Sequence, residues 1–481
     1  MKIIFVSSEA APFARTGGLG DVVGSLPKGL EKLGHKVSVF MPLYGRIRRD
    51  GFKLSPTGGR PSVSVDNRLV TGIVHTAQLP DTNIPVYFIE KNEYYEREEL
   101  YIDPSTGKDY IDNCARFSFF SRAVLETIKS MGIRPDVIHC NDWQSAMVPT
   151  YLKSLYKDDD YFKNTLTVLT IHNVGYQGLF PKEDFRFTGM DAGYYNWKQM
   201  EYYGKINLLK AGIVFSDIIT TVSKKYSEEI QTEEFGAGLS GVLKERGRDL
   251  YGIINGIDYS VWNPETDKLI PFKYGPNNPE KKKQCKNHLQ KKVGLAGRED
   301  VPLIGMIGRL AAQKGIDLLV ECWDKLMKLD VQLVLLGAGD KEYQEVLKSL
   351  ANKYSGKVSV SIGFDNQLSH EIEAGSDMFL MPSRYEPCGL NQLYSLKYGT
   401  VPVVRKTGGL ADTITPSVGF LFESYSSEEM LKAVQKALEA YKDKARWSKL
   451  MRAGMAQDWS WDKSAKMYAE LYQDARKGIR R

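Results

Sequence analysis

Short runs of β-branched and aliphatic residues alternate with helical segments along the chain. The runs predict strands at residues 3–7, 36–41, 86–89, 137–141, 166–172 and 218–222 in the first half, and at 303–308, 332–337, 358–363, 378–381 and 401–405 in the second. Strands alternating with helices in this way form parallel sheets covered by helices on both faces. Between the two sets lie Ile253-Ile254-Asn255-Gly256-Ile257-Asp258, then Trp262-Asn263-Pro264 and a loop over 271–283 rich in Pro, Asn and Lys, which places a hinge near residue 257. Close to the end, Ala465, Tyr468, Leu471 and Tyr472 fall on one face at helical spacing. Residues 462–475 should therefore be a helix docked on a partner, which the spacing itself does not name.

A chain of 481 residues has room for two large α/β domains, or for three of about 150 residues. The 65 basic and 59 acidic residues leave a net charge of +6, too mild and too mixed for a nucleic-acid surface but compatible with anionic small molecules. Five scattered cysteines, Cys114, Cys140, Cys285, Cys322 and Cys388, show no CxxC spacing, so neither a disulfide framework nor a zinc site is indicated. The opening apolar run is short and reads as a first strand rather than a signal peptide, and no stretch approaches the length of a membrane span. A soluble cytoplasmic protein with no nucleic-acid or membrane partner is expected, its oligomeric state open.

One six-residue phrase occurs twice, as Thr16-Gly17-Gly18-Leu19-Gly20-Asp21 and as Thr407-Gly408-Gly409-Leu410-Ala411-Asp412, each just after a strand-like run. A Gly-Gly step lets bare backbone N–H groups approach an anion, and a helix starting behind it adds the positive end of its dipole. The repeat suggests one polyphosphate or sugar site built from two half-molecules, although glycine pairs also mark ordinary strand-to-helix turns.

Ligands of doubly wound sheets bind at the carboxyl ends of strands. The polar residues there are Asn141-Asp142-Trp143 and His172-Asn173 in the first half, and Gly308-Arg309-Leu310 with Lys314 in the second. Two fixed cations after a strand suit a diphosphate. Gly337-Ala338-Gly339 also follows a strand, but Glu342 stands where a dinucleotide fingerprint needs a small residue, which argues against a dehydrogenase. The most specific segment is Ser383-Arg384-Tyr385-Glu386-Pro387-Cys388-Gly389-Leu390-Asn391-Gln392, in which a carboxylate, a glycine and a helix start fall within five positions. Glu386 could grip sugar hydroxyls there while amides hold phosphate; a helix-capping carboxylate is the alternative.

This segment, the Arg15-Thr16-Gly17-Gly18-Leu19-Gly20-Asp21 opening, the Gly-Arg-Leu with its trailing lysine and the second Thr-Gly-Gly-Leu together resemble the bacterial glycogen synthases, close kin of plant starch synthases, from residue 1 to about 475. The resemblance implies an α/β protein of GT-B type, two Rossmann-like doubly wound domains facing a central cleft. It implies an N-terminal domain over 1–256 rejoined by a C-terminal helix over 462–481, and a nucleotide-sugar domain over 257–461. It further implies transfer of glucose from ADP-glucose to the non-reducing end of an α-1,4-glucan, with retention of configuration and with neither metal nor other cofactor. By motif, Arg309 and Lys314 would hold the diphosphate, assisted by Gly18 and the amides near Cys388, Gly389 and Leu390. His172 would contact the transferring glucose and Glu386 its hydroxyls. Asp142, Asn141 and Asn255 would line the site, with Arg15, Gly17, Asp21, Thr407 and Gly408 in the two glycine turns and Phe364 against the adenine.

Three positions depart from the family pattern or narrow it. Arg15 stands where a lysine is usual, Asn141 where a histidine often precedes Asp-Trp, and Tyr394 where related transferases carry a second glutamate, an absence the bacterial glycogen synthases share. Use of UDP-glucose, or a non-catalytic glucan-binding relative that kept the fold, remain open on the sequence. A glucan phosphorylase is disfavoured, since no segment resembles a pyridoxal phosphate site.

Overall fold

In the computed structural model, which describes residues 1–479, the chain forms two compact units. The first contains Met1–Val222, Ser227–Gly256 and the helix that begins at Trp461; the second contains Ser223–Tyr226 and Ile257–Ser460.

The first unit is built on a nine-stranded sheet in the order Leu250–Gly252, Ile218–Thr221, Leu166–Ile171, Val137–Asn141, Lys2–Val6, Lys36–Pro42, Pro85–Glu90, Ile73–Gln78, Ser55–Pro56. The first seven are mutually parallel; Ile73–Gln78 runs antiparallel to Pro85–Glu90, and Ser55–Pro56 antiparallel to Ile73–Gln78. Lys2–Val6 sits between Lys36–Pro42, its successor along the chain, and the much later Val137–Asn141, with Ile3 opposite Val37 on one side and Val137 on the other. The order reverses here, so the loops leaving Lys2–Val6 and Val137–Asn141 diverge and open a crevice at the carboxyl ends of the two strands.

The six-stranded sheet of the second unit is wholly parallel, in the order Val358–Ile362, Gln332–Gly337, Leu303–Ile307, Met378–Met381, Val401–Arg405, Phe420–Phe422. Its central strands Leu303–Ile307, Gln332–Gly337 and Met378–Met381 read as near-continuous apolar runs because both faces are covered. Leu333, Leu335, Leu380 and Val403 pack with Trp323 and Leu326 in one cluster, while Val334, Leu336, Phe379 and Val404 pack with Leu289, Ile372 and Leu410 in another. Successive side chains thus point to opposite layers. The reversal of strand order falls between Leu303–Ile307 and Met378–Met381, which selects the loops after these two strands as the second unit's crevice.

The expected runs 3–7, 166–172, 218–222, 303–308 and 358–363 each overshoot their strand by one residue, which leaves the ladder to begin the next loop. Helix Trp461–Ile479 covers the expected 462–475, and its partners are now identified. It lies on helix Gly18–Lys32, where a Cβ on Gly29 would come within 2.7 Å of the Ala465 Cβ, so only glycine allows that approach. Behind it, the Tyr472 hydroxyl shares a 2.6 Å hydrogen bond with His139 Nδ1 of the sheet. Arg480 and Arg481, the end of the expected 462–481 segment, lie outside the described residues. No helix among the described residues is long and apolar enough to cross a membrane.

Candidate functional site

Each unit gathers polar side chains at its own point of strand reversal. In the first, the loop after Lys2–Val6 carries Glu9, which the motifs did not single out. Glu9 is buried, and its carboxylate accepts from the Thr16 amide at 2.5 Å, the Thr16 hydroxyl at 2.6 Å and the Tyr101 hydroxyl at 2.7 Å. It thereby fixes the turn that presents Gly17 and Gly18. Both glycines are exposed, and a Cβ on either would meet nothing within 4 Å. Four residues on, Asp21 pairs with Arg15 Nε at 3.0 Å. Burial raises the Asp21 carboxyl to about 6, with Arg15 opposing the shift and Glu9 adding to it. The planar guanidinium therefore spends one edge on Asp21 rather than acting as an isolated point charge.

The ends of the paired strands Val137–Asn141 and Leu166–Ile171 bring Asn141, Asp142 and His172 together. Asn141 is fully buried and its Nδ2 donates to the carbonyls of Val6 and His139 at 3.3 and 3.4 Å. Its Oδ1 must then be the acceptor facing His172 Nε2 at 3.0 Å, which assigns the proton to Nε2 and makes Nδ1 the ring's acceptor. Burial lowers His172 from 6.5 to about 3, so the imidazole is neutral in ordinary buffers. Asp142 adopts a left-handed φ of 54°, a strained position for a residue with a side chain, and its Oδ1 accepts the His172 amide at 2.7 Å. Burial raises Asp142 to about 7 against the opposing hydrogen bonds from the His172 and Asn173 amides. Asn255 is also buried, and its Oδ1 has no hydrogen-bond partner among the described residues.

In the second unit, Arg309 follows Leu303–Ile307, is exposed, and donates to Gln313 Oε1 at 3.3 Å. Lys314 donates to Glu386 Oε2 at 2.6 Å, and Ser383 Oγ donates to the same oxygen at 2.9 Å. The cation expected at the diphosphate and the carboxylate expected at the sugar are thus paired to one another. Glycine at 315, with φ 73°, is required because a Cβ there would run into the Pro382 carbonyl. Cys388 is buried; Gly389 adopts φ 69° and Leu390 caps helix Asn391–Tyr398, so the backbone from 389 onward presents a helix start. Phe364 projects from the end of Val358–Ile362 with 81% of its surface exposed.

Thr407 and Gly408 take a different position from their counterparts. Both are buried, Gly408 has φ 44°, and a Cβ on Gly408 or Gly409 would run into the carbonyls of Glu386 and Cys388 respectively. The Gly409 amide donates to the Glu386 carbonyl at 3.0 Å. The second glycine pair underlies the Glu386 loop rather than facing outward. Tyr394 is buried and stacks on Trp262 at 3.9 Å, a packing role.

The structure thus groups Arg15, Gly17, Gly18, Asp21, Asn141, Asp142, His172 and Asn255 with the first unit, and Arg309, Lys314, Phe364, Glu386, Cys388, Gly389, Leu390, Thr407 and Gly408 with the second. Sequence reasoning missed Glu9 and Gln313, and quoted Ser383 within its most specific segment without giving it a role. Glu9 had a usable signal, since it is a carboxylate just past the first strand.

Residues 2–245 match the family model of the starch synthase catalytic domain, and residues 289–453 match that of glycosyl transferases group 1. The chain is 50% identical to a glycogen synthase of Geotalea daltonii, with 98% of each chain covered, and 45% identical to one of Thermotoga maritima, with 99% of each covered. Its fold matches the catalytic domain of starch synthase IV from Arabidopsis thaliana, solved bound to ADP and acarbose, with a TM-score of 0.89, 32% identity and 99% of both chains covered. A sucrose-phosphate synthase from Thermosynechococcus elongatus, at 17% identity and a TM-score of 0.58, shares the fold alone. The architecture is therefore GT-B.

Proposed function

The chain belongs to the glycogen synthase family of glycosyltransferases, and from that premise we propose that it transfers glucose from ADP-glucose to the non-reducing end of an α-1,4-glucan with retention of configuration. The observation that carries this reading is the Lys314–Glu386 pair at the second unit's point of strand reversal, with Arg309 on the same loop as Lys314. The ADP in the related starch synthase structure supports the choice of nucleotide.

The bond from the sugar C1 to the phosphate oxygen breaks, and negative charge grows on the departing diphosphate. Arg309, Lys314 and the amides at the start of helix Asn391–Tyr398 are fixed donors for that charge and lower the barrier most where it is greatest. Glu386 accepts from glucose hydroxyls, sharing its carboxylate with Lys314. A neutral His172, its proton held on Nε2 by Asn141, offers Nδ1 as an acceptor to the glucosyl group. The acceptor hydroxyl attacks C1 from the face the phosphate leaves, and its proton passes to the departing phosphate oxygen. The products are ADP and a glucan longer by one residue.

The test is release of nucleoside diphosphate by purified protein given glycogen and either ADP-glucose or UDP-glucose. Release from ADP-glucose that requires glycogen is expected. Preference for UDP-glucose would correct the donor, and no release from either would refute the reading.

A further inference from the structure

Tyr425 lies three residues past Phe420–Phe422 and belongs to none of the motifs above, yet three functional segments converge on it. Its ring is approached by two guanidinium groups, that of Arg384 at 4.1 Å and that of Arg405 at 5.4 Å from the ring centroid. Its hydroxyl donates to Asp317 Oδ1 at 2.6 Å and to the Ala312 carbonyl at 3.3 Å. Asp317 Oδ2 in turn accepts from Arg384 Nη2 at 3.2 Å. Arg405 Nη1 donates to the Arg384 carbonyl and its Nε to the Glu423 carbonyl at 3.1 Å. Two more bonds lace the same segments together: the Arg384 amide donates to the Gln313 carbonyl at 2.8 Å, and Gln313 Nε2 donates to the Tyr385 carbonyl at 3.4 Å.

Each segment carries part of the proposed machinery. Lys314 lies within 312–317, Glu386 lies two residues past Arg384, and the buried Thr407-Gly408 turn follows Arg405 by two. Beside the Lys314–Glu386 pair, Arg309, Arg384 and Arg405 bring three further positive charges to the ends of neighbouring strands, and their mutual repulsion would spread the loops apart. A ring face that attracts cations, with the Asp317 carboxylate, offsets it. Burial and the bond to Asp317 push the Tyr425 hydroxyl well above its usual value, so it remains a donor throughout the working range.

We infer that Tyr425 is a positioning residue. It acts through Asp317, Arg384 and Arg405 to hold the Lys314 turn and the Glu386 loop in register, and so sets the rate of glucosyl transfer more than the affinity for nucleotide. The inference rests on the roles proposed above for Lys314 and Glu386. Misplacing such groups by an ångström weakens transition-state contacts far more than it weakens binding of a nucleotide that has other anchors.

Two substitutions separate the ring from the hydroxyl. Tyr425→Leu removes both, while Tyr425→Phe keeps the ring between the guanidiniums and loses the hydroxyl's bonds to Asp317 and the Ala312 carbonyl. The full-length protein is assayed for kcat and KM with ADP-glucose and glycogen, for ADP affinity by calorimetry, and for Tm. The Leu variant should lose roughly tenfold or more in kcat while the Kd for ADP stays within about threefold, and the Phe variant should recover most of the loss. Asp317→Asn, at a partly exposed position, should lower kcat by about fivefold. Wild-type kcat in the Leu variant overturns the inference. So does a rise in the Kd for ADP that matches the fall in kcat, or a Phe variant no better than Leu. If the Leu variant is unfolded by its melting curve, the other two decide, and wild-type kcat in both overturns it. A wild-type protein inactive with every nucleotide glucose would instead strike the proposed reaction itself.

Discussion

The two copies of the Thr-Gly-Gly-Leu phrase agree at five of six positions, each preceding a helix after a strand, and the structure uses them in opposite ways. In the first copy Gly17 has an ordinary extended φ of −170°, and added Cβ atoms at 17 and 18 would meet only open space. What constrains that turn is Glu9, gripping Thr16 from below. In the second copy Gly408 sits at φ 44° and both glycines lie against the carbonyls of the Glu386 loop. One pair keeps backbone N–H groups uncovered, as a ligand-facing turn needs; the other omits side chains so that two backbones can touch. A repeated motif therefore does not imply a repeated role, because glycine is selected by whatever stands beside it.

If the second copy buttresses a loop that matters to the reaction, that loop's own charges must be the most sensitive positions. Lys314→Ala and Arg309→Ala should each lower turnover by about a hundredfold, on the order of 3 kcal/mol, measured as initial rates at saturating donor. Near-normal rates in both would leave the second copy supporting nothing of consequence. Gly409→Ala and Gly18→Ala then divide the two copies directly. The first forces a Cβ onto the Cys388 carbonyl and should cost about 2–3 kcal/mol of stability, seen as a lowered Tm. The second should leave Tm unchanged and reduce turnover; equal melting behaviour of the two variants would dissolve the distinction.

A subtler effect concerns Asp142, which belongs to the same unit as the first copy. Its carboxyl is raised from 3.8 to about 7, so its contribution favours folding fully below pH 3.8 and is lost as the pH rises through 7. Asp142→Asn, which tolerates the same left-handed backbone, should accordingly gain in Tm relative to wild type between pH 4 and 7 and level off above. A constant difference in Tm over that range would show that the carboxyl is not held protonated. Smallest of all, saturating EDTA should leave turnover unchanged: among the described residues no group of three or more His, Cys, Asp or Glu side chains could hold a metal ion, and Arg309 and Lys314 supply the positive charge. Loss in EDTA restored by a divalent ion would contradict this.

Much of the fold was legible because both central sheets are covered on two faces, which writes each buried strand as a continuous apolar run such as Gln332–Gly337. Ile73–Gln78 escaped because only one of its residues is fully buried, and Phe420–Phe422 because three residues carry no pattern. For the candidate site, the rule that ligands gather past strand ends selected Asn141, Asp142, His172, Arg309, Lys314 and Glu386 for inspection without any knowledge of the sheet order, and the structure places each of them at or past the end of a strand.

The sequence by itself determined which residues stand at strand ends and what chemistry they bring, since those properties are local: hydrophobic runs, glycine steps and charged side chains at fixed offsets. Only the tertiary structure decided what each of them faces. It paired Lys314 with a carboxylate 72 residues away, fixed the His172 proton through Asn141, buried one glycine pair and opened the other, and set Tyr425 against Arg384 and Arg405. These choices depend on neighbours brought together by strand order, and at that distance along the chain no local pattern records which side chain will stand beside which.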